Sequence, residues 1–288
     1  MYTENFDYYR ADSVEDAIEL LGEHDGSELL AGAQGILTRM KTGDESPPAL
    51  VDIGNLDGLS AIEASDGALS VGALATHAEV ADSKTVADHA AALLDAAGEV
   101  GDLQVRNAGT VGGNLAHGDP RSDPPAAVLA LDGSLVVQGP DGEREIPATD
   151  LFDGSFETSV GEREVVTRLE LPVDGDAGSA YHKYRNPLSG YALVGVAASV
   201  RLDGDTVREA RVAATGITDC PFRLEDVEDV LEDEPMDDEL LTTAGDVAKA
   251  AVDADDLHSD PQASSEFRAH LLGVYTERVL ADAVERAE

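Results

Sequence analysis

Residues 104–120, QVRNAGTVGGNLAHGDP, carry the side chains and spacing that suit a phosphate. The Gly112-Gly113 pair lets the main chain approach a ligand without a Cβ in the way and reach positive φ. Thr110 adds a hydroxyl at the same place. Consecutive N–H groups in such a turn form a concavity for an anion, and a pyrophosphate is the natural occupant. A double glycine alone also fits an ordinary tight turn between strands. A second stretch adds to it. Leu29-Leu30 reads as a short apolar strand, Ala31-Gly32-Ala33-Gln34-Gly35 as a small-residue turn, and Ile36 as the start of a helix running to about Lys41. A strand feeding such a turn at a helix start is a general phosphate site. The G-x-G-x-x-G spacing of parallel dinucleotide-binding folds is absent.

Taken together these stretches resemble the FAD-binding medium subunit of the molybdenum hydroxylases, the family of carbon monoxide, xanthine and aldehyde dehydrogenases. Its second flavin loop reads Arg-Asn-x-x-Thr-Ile/Val-Gly-Gly-Asn/Ser, then Asp-Pro and a further Asp. Here that is Arg106-Asn107, Thr110-Val111-Gly112-Gly113-Asn114, Asp119-Pro120 and Asp123. The first loop, usually Ala-Gly-Gly-x-Ser/Thr-Leu, departs twice: Ala33 replaces the second glycine and Gly35 the hydroxyl residue, which removes one side-chain contact to phosphate. Tyr181-His182-Lys183-Tyr184-Arg185 followed by the apolar run from Tyr191 to Ala198 matches the family's second half. Gly190 stands where relatives commonly carry Asp. The likeness runs from Phe6-Asp7-Tyr8 to the last helix.

What the resemblance implies is specific. FAD would lie between two N-terminal subdomains, with main-chain N–H groups of Gly32 to Gly35 and of Gly112-Gly113 on the pyrophosphate, and with Ala31 and Ile36 flanking the first loop. Thr110 and Asn114 would bond the phosphate and ribitol region. Asp119 would belong to the same loop, and Asp123 would accept from sugar hydroxyls. Val165 and Val166 would line the adenine pocket. Lys183 would sit near the isoalloxazine carbonyls, where a cation favours reduced, anionic flavin, with Tyr191 at the flavin mouth. The alternative for Lys183 is a surface strand residue. Partners would be a large molybdopterin-binding subunit and a small 2Fe-2S subunit, in a dimer of heterotrimers.

Composition narrows the classes. The chain has 288 residues, 59 acidic against 19 basic, and a net charge of −40. That surplus repels nucleic acid and anionic membranes. The acids are spread along the chain rather than gathered in a tail, which predicts a halophile whose salty cytoplasm screens the repulsion. No apolar run is long enough to insert in a membrane. The first residues lack a basic segment leading into an apolar core, and a cytoplasmic location follows. One cysteine, Cys220, can form neither an intrachain disulfide nor the four-thiolate site of an iron–sulfur cluster. The seven histidines, His117 among them, show no metal-ligand spacing and read as surface or supporting residues.

The elements that must hold these loops read as an α+β chain in two domains. The resemblance implies that residues 1–175 are an FAD-binding domain of the vanillyl-alcohol-oxidase (PCMH) type, with subdomains of about 1–55 and 56–175. Residues 176–288 form a C-terminal domain of three antiparallel strands plus helices. Asp174 to Gly178 is the best linker. An Ala-rich helix is predicted from Thr85 to Glu99. The last helix, from Ser264 to Glu285, is predicted to bury Phe267, Leu271, Val274, Arg278 and Ala281.

The resulting expectation is an FAD-dependent oxidoreductase subunit that accepts electrons from a partner's iron–sulfur clusters and passes them on. Two rivals exist: a stand-alone flavin oxidoreductase of the same broad fold, and a non-enzymatic interaction subunit that has lost FAD.

Overall fold

A computed structural model of the chain describes residues 2–173, 175–253 and 255–287. Among the described residues the strands form a three-stranded sheet, a five-stranded sheet, a four-stranded sheet and a two-stranded hairpin. Helices pack between and over them, so the chain is of mixed α+β class.

In the first sheet the strands Asp7–Arg10, Ala49–Asp52 and Glu28–Leu30 lie in that order and are all parallel. Parallel neighbours need crossover connections. The helices Val14–Glu23 and Ile36–Thr42 supply them. Ser13 caps the first, its hydroxyl accepting the Asp16 N–H at 3.1 Å. Ala17, Ile18 and Leu21 then pack on Val51 and Ile53. All three strands consequently end on one edge. Ala31–Gly35 leaves that carboxyl edge, the side on which open parallel sheets present ligands.

The second sheet is antiparallel, in the order Ile62–Ser65, Ala68–Gly72, Val165–Pro172, Ser134–Gly139, Gly142–Pro147. The long strand Val165–Pro172 closes it between two hairpins. Helices Ala91–Glu99, Val111–His117 and Pro124–Ala130 fill its core. The single helix predicted from Thr85 to Glu99 is instead two, Lys84–His89 and Ala91–Glu99, with Ala90 between them at φ −149° and ψ 58°. A contact from far away ends the first and starts the second: the Ala92 N–H donates to Ser179 Oγ at 3.1 Å.

The C-terminal sheet has four strands rather than the three predicted. Ala177–Arg185, Ala192–Asp203 and Thr206–Thr215 are joined by the short Phe222–Arg223, which pairs with Ala213 and Ala214. Of the predicted linker, Asp174 lies outside the described residues, and Ala177 and Gly178 already belong to the first strand. Val194, Val196, Ala198 and Val200 face the helices, whereas Tyr181, Ala197 and Ala213 join the core of the second sheet. Burial on both faces explains the unbroken apolar run there.

The last helix spans Ser265–Ala287 and buries Arg268, Leu271, Leu272, Thr276, Val279, Leu280 and Ala283. The predicted stripe is thus displaced by about one residue. Phe267 is 39% exposed, and Arg278 and Ala281 are exposed. Arg268 sets the rotation. It turns inward, Nη1 donating to the carbonyls of Leu193 (2.6 Å) and Gly216 (2.8 Å) and Nη2 to Asp260 (2.6 Å), while its buried Nε has no partner among the described residues.

Candidate cofactor site

The glycine run forms a helix rather than the predicted open turn. Val111–His117 is helical, with Thr110 as its N-cap at φ −109° and ψ 150°. The Thr110 hydroxyl accepts the Gly113 N–H at 3.3 Å. Neither Gly112 nor Gly113 has positive φ. What the two glycines supply is room. A Cβ on Gly112 would lie 2.5 Å from the Ala73 Cβ, so the helix could not sit so close to the sheet. Gly113 is exposed on the other side, where a Cβ would lie 2.8 Å from the Thr110 Oγ and 3.8 Å from the Ala31 Cβ.

The main chain of this helix start is partly committed. The N–H groups of Val111 and Gly112 donate to Ala75 and Ala73, each at 2.9 Å. Gly112 N–H is therefore removed from the expected pyrophosphate contacts, and Gly113 faces the first loop.

Positive φ appears in the first loop, at Ala33 (62°), the position where the family pattern has glycine. Gly32 lies where the loops meet: a Cβ there would overlap the Ala108 carbonyl oxygen. Gln34 is exposed and folds its Nε2 back to the Gly32 carbonyl at 3.1 Å. Gly35 caps the helix Ile36–Thr42 without a side chain. The N–H groups of Gly32, Ala33, Gln34, Gly35 and Ile36 make no hydrogen bond to another described residue. On the helix of the second loop, the buried Asn114 Oδ1 has no partner, while its Nδ2 donates to Ser122 at 3.2 Å. A row of free donors beside an orphaned acceptor is what a pyrophosphate with neighbouring hydroxyls would satisfy. The donor set, the glycine spacing and Asn114 all fit a flavin nucleotide.

Other expected contacts are spent inside the protein. Asp119 receives the N–H, Nε and Nη2 of Arg121 at 2.9–3.0 Å. Arg121 in turn lies 4.6 Å over the ring of Tyr191, which is 36% exposed. Burial, then the charge of Asp119, raises the Tyr191 hydroxyl. Asp123 is buried and accepts from Tyr181 Oη at 2.6 Å and Lys183 Nζ at 2.9 Å, one bond on each carboxylate oxygen. Burial pushes its carboxyl upward against the opposing pull of Lys183 and Tyr181.

Lys183 is neither a surface residue nor a free cation. Its remaining contacts go to the carbonyls of Glu99 (2.7 Å) and Gly190 (2.9 Å). Val165 and Val166 are both buried, packed into the cores of the first and second sheets respectively. The two loops meet where Gly32 approaches Ala108 and Gly113 approaches Ala31.

Two histidines assigned no role in the sequence lie beside these loops. His77 is buried under the run: a Cβ on Gly109 would touch its Cδ2 at 3.1 Å, and its Nδ1 has no partner. Burial, reinforced by Arg106, lowers it to about 4. His117 packs on Gly35. Neither contact carries a local signal, because both join residues far apart in sequence.

Known proteins give the same picture. Residues 4–174 match the family described as the FAD binding domain in molybdopterin dehydrogenase, and residues 179–283 match the CO dehydrogenase flavoprotein C-terminal domain. The chain is 31% identical to the glyceraldehyde dehydrogenase medium chain of Sulfolobus acidocaldarius, over 98% of this chain and 99% of that one. It is 33% identical to the 6-hydroxypseudooxynicotine dehydrogenase complex subunit alpha of Paenarthrobacter nicotinovorans, over 98% and 96%. Carbon monoxide dehydrogenase of Hydrogenophaga pseudoflava superimposes with a TM-score of 0.94 at 31% identity, covering 99% of each chain. With these matches spanning both domains, the chain belongs to the family of FAD-binding medium subunits of the CO and xanthine dehydrogenase-type molybdenum hydroxylases.

Proposed function

We propose that this subunit relays electrons within a molybdenum hydroxylase. It would receive them from a small 2Fe-2S subunit, itself supplied by a large molybdopterin-binding subunit, and deliver them to an external acceptor. FAD supplies the redox chemistry when bound, accepting and releasing electrons at its isoalloxazine ring. The protein's part is to bind and orient. The free amides of Gly32 to Ile36 hold the pyrophosphate, with Gly113 giving it access. Thr110 and Asn114 hold the adjoining hydroxyls, and Tyr191 borders the ring.

The observation that carries this reading is the row of unsatisfied donors in the first loop together with the orphaned Asn114 Oδ1. Domains of 1–175 and 176–288 would enclose the cofactor and close the chain, respectively. A single cysteine cannot supply the four thiolates of an iron–sulfur cluster, so in this reading the clusters belong to the partner. The charge of −40 suits a salt-rich cytoplasm.

Native purification in molar KCl tests it. A yellow complex is expected, with FAD released on denaturation and large and small subunits present in equal amounts. A lone chain that is fully active on a small substrate would replace this reading with the stand-alone oxidoreductase.

A further inference from the structure

Gly35 lacks the hydroxyl that its relatives' pattern places in the first loop, and His117 fills the space. A Cβ built on Gly35 would lie 2.7 Å from Cδ2 and 2.8 Å from Nε2 of His117. No side chain fits at position 35 while the imidazole stands there. The ring is held from two sides. His117 ends the helix Val111–His117 that Thr110 begins, and Gly118 follows it in the left-handed conformation at φ 62°. Phe156 meets the ring edge-on, with centroids 5.2 Å apart. Neither ring nitrogen hydrogen-bonds to another described residue. A half-buried imidazole with both nitrogens open therefore sits against the residue whose N–H belongs to the free amide row.

We propose that His117 is an FAD-binding residue of this chain, its Nε2–H donating to a pyrophosphate oxygen in place of the missing hydroxyl at position 35. The inference rests on the FAD reading given above. It deepens that reading by naming a titratable phosphate ligand.

The charges around His117 are already paired with one another. Arg39, on the helix Ile36–Thr42, pairs with Glu45 and lies 3.9 Å over Phe156. Arg121 pairs with Asp119. On the hairpin that carries Phe156, Glu157 turns back over Gly154. Burial lowers His117 below the usual histidine range, with Asp119 and Glu45 raising it and Arg39 and Arg121 lowering it less strongly. A negatively charged pyrophosphate oxygen against Nε2 reverses that balance, since an adjacent opposite charge favours the protonated ring. Protonation and FAD binding are then linked. Affinity is greatest below the free protein's pKa and falls as pH rises through the higher pKa of the complex.

The test is titration of apoprotein with FAD, read by quenching of flavin fluorescence, between pH 5.5 and 8.5 at fixed molar salt. Wild type should bind more weakly as pH rises. Loss of one charge-assisted hydrogen bond predicts that His117→Ala binds about tenfold more weakly at the acid end, with no pH slope. His117→Gln keeps a neutral donor and should fall between the two, also without slope. Gly35→Ser alone should weaken binding, because its side chain meets the ring. Gly35→Ser combined with His117→Ala should regain affinity without regaining the slope, because the hydroxyl now has room. Wild-type affinity and slope retained in both His117 variants would overturn the proposal. Failure of wild-type apoprotein to take up FAD would instead sink the FAD reading itself.

Discussion

Lys183 and Asp123 face each other at 2.9 Å with side chains 1% and 4% exposed. They join the strand Ala177–Arg185 of the C-terminal domain to the start of the helix Pro124–Ala130 of the first. The Tyr181 hydroxyl and the carbonyls of Glu99 and Gly190 complete the cluster. A buried pair so fully bonded orients two domains. Removing one partner leaves the other charged and without compensation. Lys183→Met should therefore cost about 3–5 kcal/mol. The Asp123→Asn, Lys183→Met double variant should recover part of that loss. Denaturant unfolding in molar salt checks both, and equal stability of Lys183→Met and wild type would remove the pair from the domain joint.

Much of this was legible because it is local. Ser13 and Thr76 announce helix starts, and Asp66-Gly67 and Asp141-Gly142 announce hairpins that the sheet register bears out. The motif residues marked both loops. What escaped depends on contacts between distant residues. Ser179 splits a helix at Ala90, Arg268 rotates the last helix, and Asp123 is claimed by Tyr181 and Lys183. No periodicity encodes these, because each partner lies in another element. The glycines of the second loop were misread for a related reason: the same pair serves a turn needing positive φ or a helix needing close approach. Only the position of Ala73 decides between them.

Gly112 and Gly113 should consequently fail in different ways. A Cβ on Gly112 strikes the Ala73 Cβ, Cα and carbonyl oxygen at 2.5–2.9 Å, just past the strand Ala68–Gly72. Gly112→Ala should destabilise the fold by about 1–3 kcal/mol through overpacking. Gly113→Val faces the first loop and presses on the Thr110 cap hydroxyl, and it should abolish FAD uptake while the fold is largely kept. Thermal melts beside flavin content separate the two, and the reverse pattern would contradict the geometry.

Ala33 holds φ 62° with a Cβ present. Left-handed backbone costs a non-glycine residue about 1–2 kcal/mol, partly offset by the greater unfolded-state freedom of glycine. Ala33→Gly should be neutral or stabilising by up to about 1 kcal/mol. Ala33→Val, β-branched, should lose both stability and FAD binding. An Ala33→Val protein with normal flavin content would show that this turn does not shape the site.

Salt should govern the whole molecule. With a net charge of −40, repulsion falls as the Debye length shrinks from about 10 Å at 0.1 M to about 3 Å at 1 M. The melting temperature should climb with KCl into the molar range. A value unchanged between 0.1 and 3 M would show that repulsion among the excess carboxylates does not limit stability.

His77 makes stability depend on pH with a definite sign. Burial first and Arg106 second lower it from 6.5 to about 4 in the folded protein. The unfolded chain takes up a proton near 6.5 while the folded one does not. The contribution of neutral His77 is therefore complete above about 6.5 and is lost as pH falls toward about 4, where it amounts to about 3 kcal/mol. His77→Leu has nothing to protonate. Its unfolding free energy, measured from pH 7 to pH 5 at fixed salt, should fall less steeply than that of wild type. The difference should appear before most carboxylates titrate. Parallel curves would show that His77 accepts a proton in the folded state, its orphaned Nδ1 finding a partner beneath the glycine run.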